Sequence, residues 1–128
     1  MRALLDTHAL VWWLADSSRL SRTATASIAD EGNTIIVSAA SAWEIATKYR
    51  LGKLPGAELL ARDVAGNISR QGFEELPITV ADAQRAGALS GPHRDPFDRM
   101  LIAQALARDL TIISVDAVFD QYGVGRLW

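Results

Sequence analysis

Four short apolar runs, none with the polar alternation of a half-exposed strand, restrict this chain to a narrow set of folds. Residues 2–5 run directly into Asp6, residues 34–37 are β-branched and apolar, residues 73–78 are mixed with Pro77 near the end, and residues 111–115 are again almost wholly β-branched. Strands that are apolar on both faces belong in parallel sheets covered on both sides. A parallel neighbour is reached only through a crossover, and the intervening stretches 8–14, 21–31, 39–50, 58–70, 80–89 and 96–108 read as helices. The order predicts an α/β fold, a three-layer sandwich with a central, mostly parallel β-sheet flanked by helices. Gly32 with Asn33, the 52–56 turn containing Pro55, and Gly91 with Pro92 mark boundaries. Residues 124–128 are read as a short edge strand.

With 128 residues, 49% of them hydrophobic, the chain is long enough for one core and too short for two, so a single domain over 1–128 is expected. No apolar run reaches transmembrane length, and the amino terminus has no secretory-signal pattern, which predicts a cytoplasmic protein with no membrane association. The absence of cysteine excludes disulfides and thiolate metal sites, so a metal must be held by oxygen or by the two histidines, His8 and His93. A net charge of -2 supplies no general attraction for polyanions, so binding nucleic acid would require local positive charge or a metal.

Ligands of open parallel sheets bind beyond the carboxyl ends of the strands. Asp6 directly follows the first run and Asp116 the run 111–115, Glu44 lies near the start of the helix after 34–37, and Asp98 lies in the first turn of the helix opened by Asp95 and Pro96. Each has a local explanation as well. Asp6 and Asp116 are suited to capping the next helix, Ser41 and Glu44 have capping-box spacing, and Asp95 with Pro96 reads as a cap followed by proline at the first helical position. Those explanations do not predict that four acids share one sheet edge. Carboxylates gathered in this way repel one another unless a cation lies among them, and oxygen-only ligands select Mg2+ or Mn2+.

The segments Asp6-Thr7-His8, Ser41 to Ala46, Gly52-Lys53-Leu54, and above all His93 to Arg99 followed by Leu101 to Ala105 resemble the PIN-domain fold. Within that fold they resemble the VapC type of toxin from bacterial toxin–antitoxin pairs, over residues 4 to 122. The resemblance implies an endoribonuclease that needs Mg2+ or Mn2+, forms homodimers and is silenced by a cognate antitoxin. It assigns the family's acids to Asp6, Glu44, Asp98 and Asp116, and it places Ser114 where the family often has threonine. Thr7, Ser114 and Asp95 are candidates for supporting the metal-binding carboxylates, with capping the favoured role for Asp95.

In this reading Asp6 and Asp98 bind the ion, while Glu44 and Asp116 bind through water or orient the attacking water. Whether one ion or two take part stays open. Arg94 and Arg99 are the first candidates to grip RNA phosphates, followed by Lys48 and Lys53. The tryptophans are expected to pack rather than stack on bases, and neither histidine is read as a general base. Two alternatives remain: a catalytically inactive interaction module of the same fold, and an aspartate-based phosphatase, which wants an aspartate where His8 stands.

Overall fold

The computed structural model describes residues 1–128. Strands β1 (Arg2–Leu5), β2 (Thr34–Ser38), β3 (Glu74–Leu76), β4 (Thr111–Ile113) and β5 (Arg126–Leu127) form one sheet in the spatial order β3-β2-β1-β4-β5. Every neighbouring pair is parallel. Leu4 lies opposite Ile36 and Ile112, and all three enter one core with Leu101, Ile102 and Phe119. Ala3, Leu5, Ile35, Val37 and Ile113 enter the other, against Leu10, Ile28, Ile45 and Ile68. Both faces of β1, β2 and β4 are buried, which is why those runs show no alternation, whereas Glu74 and Glu75 of β3 are exposed.

The helices are α1 (Thr7–Leu14), α2 (Arg22–Ala29), α3 (Ala39–Arg50), α4 (Glu58–Arg62), α5 (Val64–Arg70), α6 (Val80–Ala88) and α7 (Pro96–Arg108). Helices α1, α2, α4 and α5 contribute side chains to the core on one face of the sheet, and α7 supplies the other. The single helix expected over 58–70 is divided at Asp63, whose carboxylate turns back to accept from Gly66 N at 2.9 Å and caps α5. As placed, the carboxylate occupies the space of a Cβ at position 66, which would lie 2.1 Å from Asp63 Oδ2, so a side chain there would oblige the Asp63 carboxylate to shift. The strand expected over 111–115 ends at Ile113, and a 3-10 helix, Ala117–Tyr122, precedes β5. Phe119 of that turn is fully buried, so packing organises a segment with little periodic signal.

From β1 the chain builds outward through β2 and β3, then returns to add β4 and β5 on the opposite side. The order reverses between β1 and β4, the position at which open parallel sheets characteristically leave a ligand crevice beyond the carboxyl ends of their strands. Asp6 and Ser114 stand beside that reversal.

Candidate active site

Asp6 continues from β1, with its backbone N–H donating to Ile113 O at 3.1 Å. Although it occupies the N-cap position of α1, its side chain makes no capping bond. The carboxylate is 4% exposed, and its Oδ2 accepts from Ser114 Oγ at 2.6 Å. Burial pushes its pKa above the ordinary range; the Ser114 hydroxyl and the charge of His8 work against that, and Glu44 adds to it. The local capping explanation therefore fails for Asp6.

Glu44 lies within α3 and is not part of a capping box. Ser38 caps that helix, accepting from Ala40 N at 3.0 Å, while Ser41 accepts from Thr7 Oγ1 at 2.9 Å. The bond ties α1 to α3, so Thr7 supports the arrangement without its side chain touching a carboxylate. Glu44 is 3% exposed, and its Oε2 accepts from Lys48 one turn further along the helix. Its Oε1 is buried and has no hydrogen-bond partner.

Asp98 enters from α7. Asp95 Oδ1 caps this helix by accepting from the N–H groups of Phe97 at 2.9 Å and Asp98 at 3.2 Å, and Pro96 follows. Asp98 Oδ2 is 2.9 Å from His93 Nε2. Burial pushes the Asp98 pKa up to about 6; His93 opposes this, and Asp95, Asp6 and Glu44 reinforce it. Three elements thus bring Asp6, Glu44 and Asp98 close enough for their charges to act on one another.

Asp116 has a different environment from the other three acids. It is exposed, and its Oδ1 caps the 3-10 turn by accepting from Val118 N at 3.0 Å. Its link to the crevice runs through its backbone N–H, which donates to the same Ser114 hydroxyl that bonds Asp6. The capping explanation rejected for Asp6 holds for Asp116, because the strand ends early and leaves the chain free to turn. No group of three or more acidic or histidine side chains is drawn together tightly enough to hold a metal ion. Each inner carboxylate is instead held by its own partner: Ser114, Lys48 or His93.

The basic residues divide as well. Arg99 donates to Ala86 O and His93 O at 3.0 Å, to Leu89 O at 2.5 Å and to Gly87 O at 3.4 Å. Its guanidinium holds the loop after α6, so these donors are engaged by backbone carbonyls. Arg94 and Lys53 are exposed, and Lys53 lines a groove of ≈ 620 Å³ with His8, Trp12 and Arg19. Trp13 and Trp128 pack on the core, as expected, but Trp43 is 59% exposed and meets Phe97 edge-on at 4.9 Å. Two contacts lay outside the sequence reading. The Lys48–Glu44 pair was visible only as an ordinary helical spacing, and His93 only as a loop residue five positions before Asp98.

A model of the family described as PIN domain matches residues 3–125. Ribonuclease VapC16 of Mycobacterium tuberculosis is 43% identical over 65 residues, which are 51% of this chain and 46% of that protein. The matched stretch thus spans less than half of that relative's length. The complex of VapBC2 from Rickettsia felis bound to a DNA fragment from their promoter aligns with a TM-score of 0.71 at 17% identity, covering 99% of this chain and 98% of the matched one. DNA-bound VapBC from Salmonella typhimurium gives 0.70 at 20% identity, covering 99% and 97%. At these identities the structural likeness is one of fold.

Proposed function

The chain belongs to the PIN domain family, and from that membership we propose that it is a single-domain, metal-dependent endoribonuclease, the toxin of a toxin–antitoxin pair, acting on RNA at the acidic crevice. The observation that carries the reading is the buried, partnerless Oε1 of Glu44 in a field shared with Asp6 and Asp98. A polar oxygen left without a donor costs stability, and a cation satisfies it. The ribonuclease name of VapC16 supports the substrate class.

The donor chemistry suits a hard divalent cation, because every donor is a carboxylate oxygen and Glu44 Oε1 has no partner, and the side chains would have to draw closer together to share one ion. Asp6, Glu44 and Asp98 would hold Mg2+ or Mn2+, with Asp116 contributing from the rim. When bound, such an ion supplies an activated water at neutral pH and offsets charge on the phosphate. Ser114 fixes the Asp6 carboxylate, and His93 fixes that of Asp98. Glu44 would act on the ion through its unpartnered Oε1, directly or through a bound water. Arg94 and Lys53 lie exposed to meet RNA phosphates. Asp95 keeps its capping role.

The VapBC neighbours support a cognate antitoxin as partner, and a homodimer is proposed with it. No helix is long and apolar enough to cross a membrane. A cytoplasmic location accompanies the ribonuclease reading.

The test is cleavage of structured RNA by purified protein in Mg2+ or Mn2+ and in chelator, wild type against Asp6→Asn. Chelation and substitution should each reduce cleavage on the order of 10²-fold or more. Cleavage indifferent to both would end the reading.

A further inference from the structure

Lys48 is the one cation hydrogen-bonded to a carboxylate of the crevice through its own helix. Its ammonium donates to Glu44 Oε2 and feels the charges of Asp95 and Asp98 across the gap to α7. An ordinary pair at this helical spacing lies on the surface and contributes little. Here the acid is 3% exposed and the lysine side chain 29% exposed, so one end of the pair is buried and the other reaches solvent. The remaining oxygen of the same carboxylate has no partner.

We propose that Lys48 is the resident counter-cation of the crevice, neutralising Glu44 when no divalent ion is bound and giving way when one enters. This rests on the metal-dependent reading above. The physical reason is direct: Lys48 and a divalent ion seek the same negative field, so the ammonium opposes the ion's entry. Lysine suits this role because its charge sits on a flexible four-carbon stem that turns to water without disturbing the helix. Released from Glu44, the same ammonium is free to meet a phosphate oxygen of the RNA. Lys48 is thus a charge-balancing residue that exchanges one anion for another, and the crevice keeps its shape when empty at the cost of weaker ion binding.

The experiment measures Mn2+ affinity by calorimetry and melting temperature in chelator, at a pH where all the carboxylates are charged, for wild type, Lys48→Met, Lys48→Arg and Glu44→Gln/Lys48→Met. Lys48→Met should bind Mn2+ several-fold more tightly and melt lower in chelator, a combination that loss of a purely structural contact would not produce. Lys48→Arg should restore the wild-type melting temperature. In the Glu44→Gln background, the Lys48→Met change should leave melting unaffected. Equal, measurable Mn2+ affinity in wild type and Lys48→Met overturns this proposal alone. Absence of Mn2+ binding in both overturns the metal reading and this proposal with it. Should Lys48→Met not fold, Lys48→Gln carries the same comparison.

Discussion

At the scale of single residues, the crevice is a contest between burial and hydrogen bonding. Burial raises the Asp6 pKa and the Ser114 hydroxyl at 2.6 Å lowers it, so Ser114→Ala should raise it further. The expected outcome is a loss of roughly tenfold in kcat/KM and an acidic limb of the pH–rate profile displaced upward. Ser114→Thr, which keeps the hydroxyl, should retain the wild-type profile. Asp98 gives a second test. Its pKa rises from 3.8 to about 6 on folding, so across that interval the folded chain keeps a proton that the unfolded chain releases. Relative to acid conditions, this group's stabilising contribution is therefore lost as pH climbs through about 6. A divalent ion binds the charged form, so the rise in melting temperature on adding Mg2+ should be larger at about pH 7.5 than at about pH 5. An equal rise at both would remove Asp98 from the ion's ligands.

At the scale of elements, a buried polar network fixes how α6 and α7 meet the end of β2. Thr79 and Asp82 form a capping box at the start of α6, and Arg108 donates to the two Asp82 oxygens at 2.9 and 3.0 Å. Gln104, fully buried, donates to Asp82 and to Pro77 O and accepts from Ser38 Oγ. Because Ser38 also caps α3, the network sets the start of the helix that carries Glu44. The Arg108 bond holds the Asp82 carboxyl well below the usual carboxylate range, with the Thr79 and Gln104 bonds assisting against burial. A depressed folded pKa contributes stability above the unfolded value, lost as pH falls through the folded one. Asp82→Asn should cost about 3 kcal/mol at neutral pH, and the gap to wild type should narrow below about pH 4. Urea denaturation across pH measures both. Arg99 does comparable work one loop further on, holding the carbonyls that end α6 and thereby the segment that presents His93 to Asp98.

For the molecule as a whole, the central strand is enclosed from both sides. Leu4 and Leu5 are both fully buried and belong to different cores. Leu4→Ala and Leu5→Ala should therefore each lower stability by about 3 kcal/mol in urea denaturation. A sheet open on one face would respond strongly at only one of the two positions. The same enclosure leaves the carboxyl edge as the place where polar side chains following β1 and β4 meet those of α3 and α7, which is why Asp6, Glu44 and Asp98, from three distant segments, act on one another.

Residue order alone determined the α/β class, the bounds of α3 and α7 and the extent of β1, and it nominated four acids, of which Asp6, Glu44 and Asp98 act on one another's charge in the fold. Those features follow from local periodicity, from proline and cap placement, and from the rule that parallel strands end at one edge, all of which are written along the chain. Tertiary packing decided the rest. It gave Asp6 and Asp116 different tasks around one hydroxyl, Asp6 accepting from Ser114 and Asp116 capping the 3-10 turn. It replaced Ser41 by Ser38 as a cap, assigned Arg99 to backbone carbonyls, and set Lys48 and His93 against the acids. Each of those outcomes depends on side chains distant in sequence competing for the same buried donors and acceptors, a competition that no local pattern records.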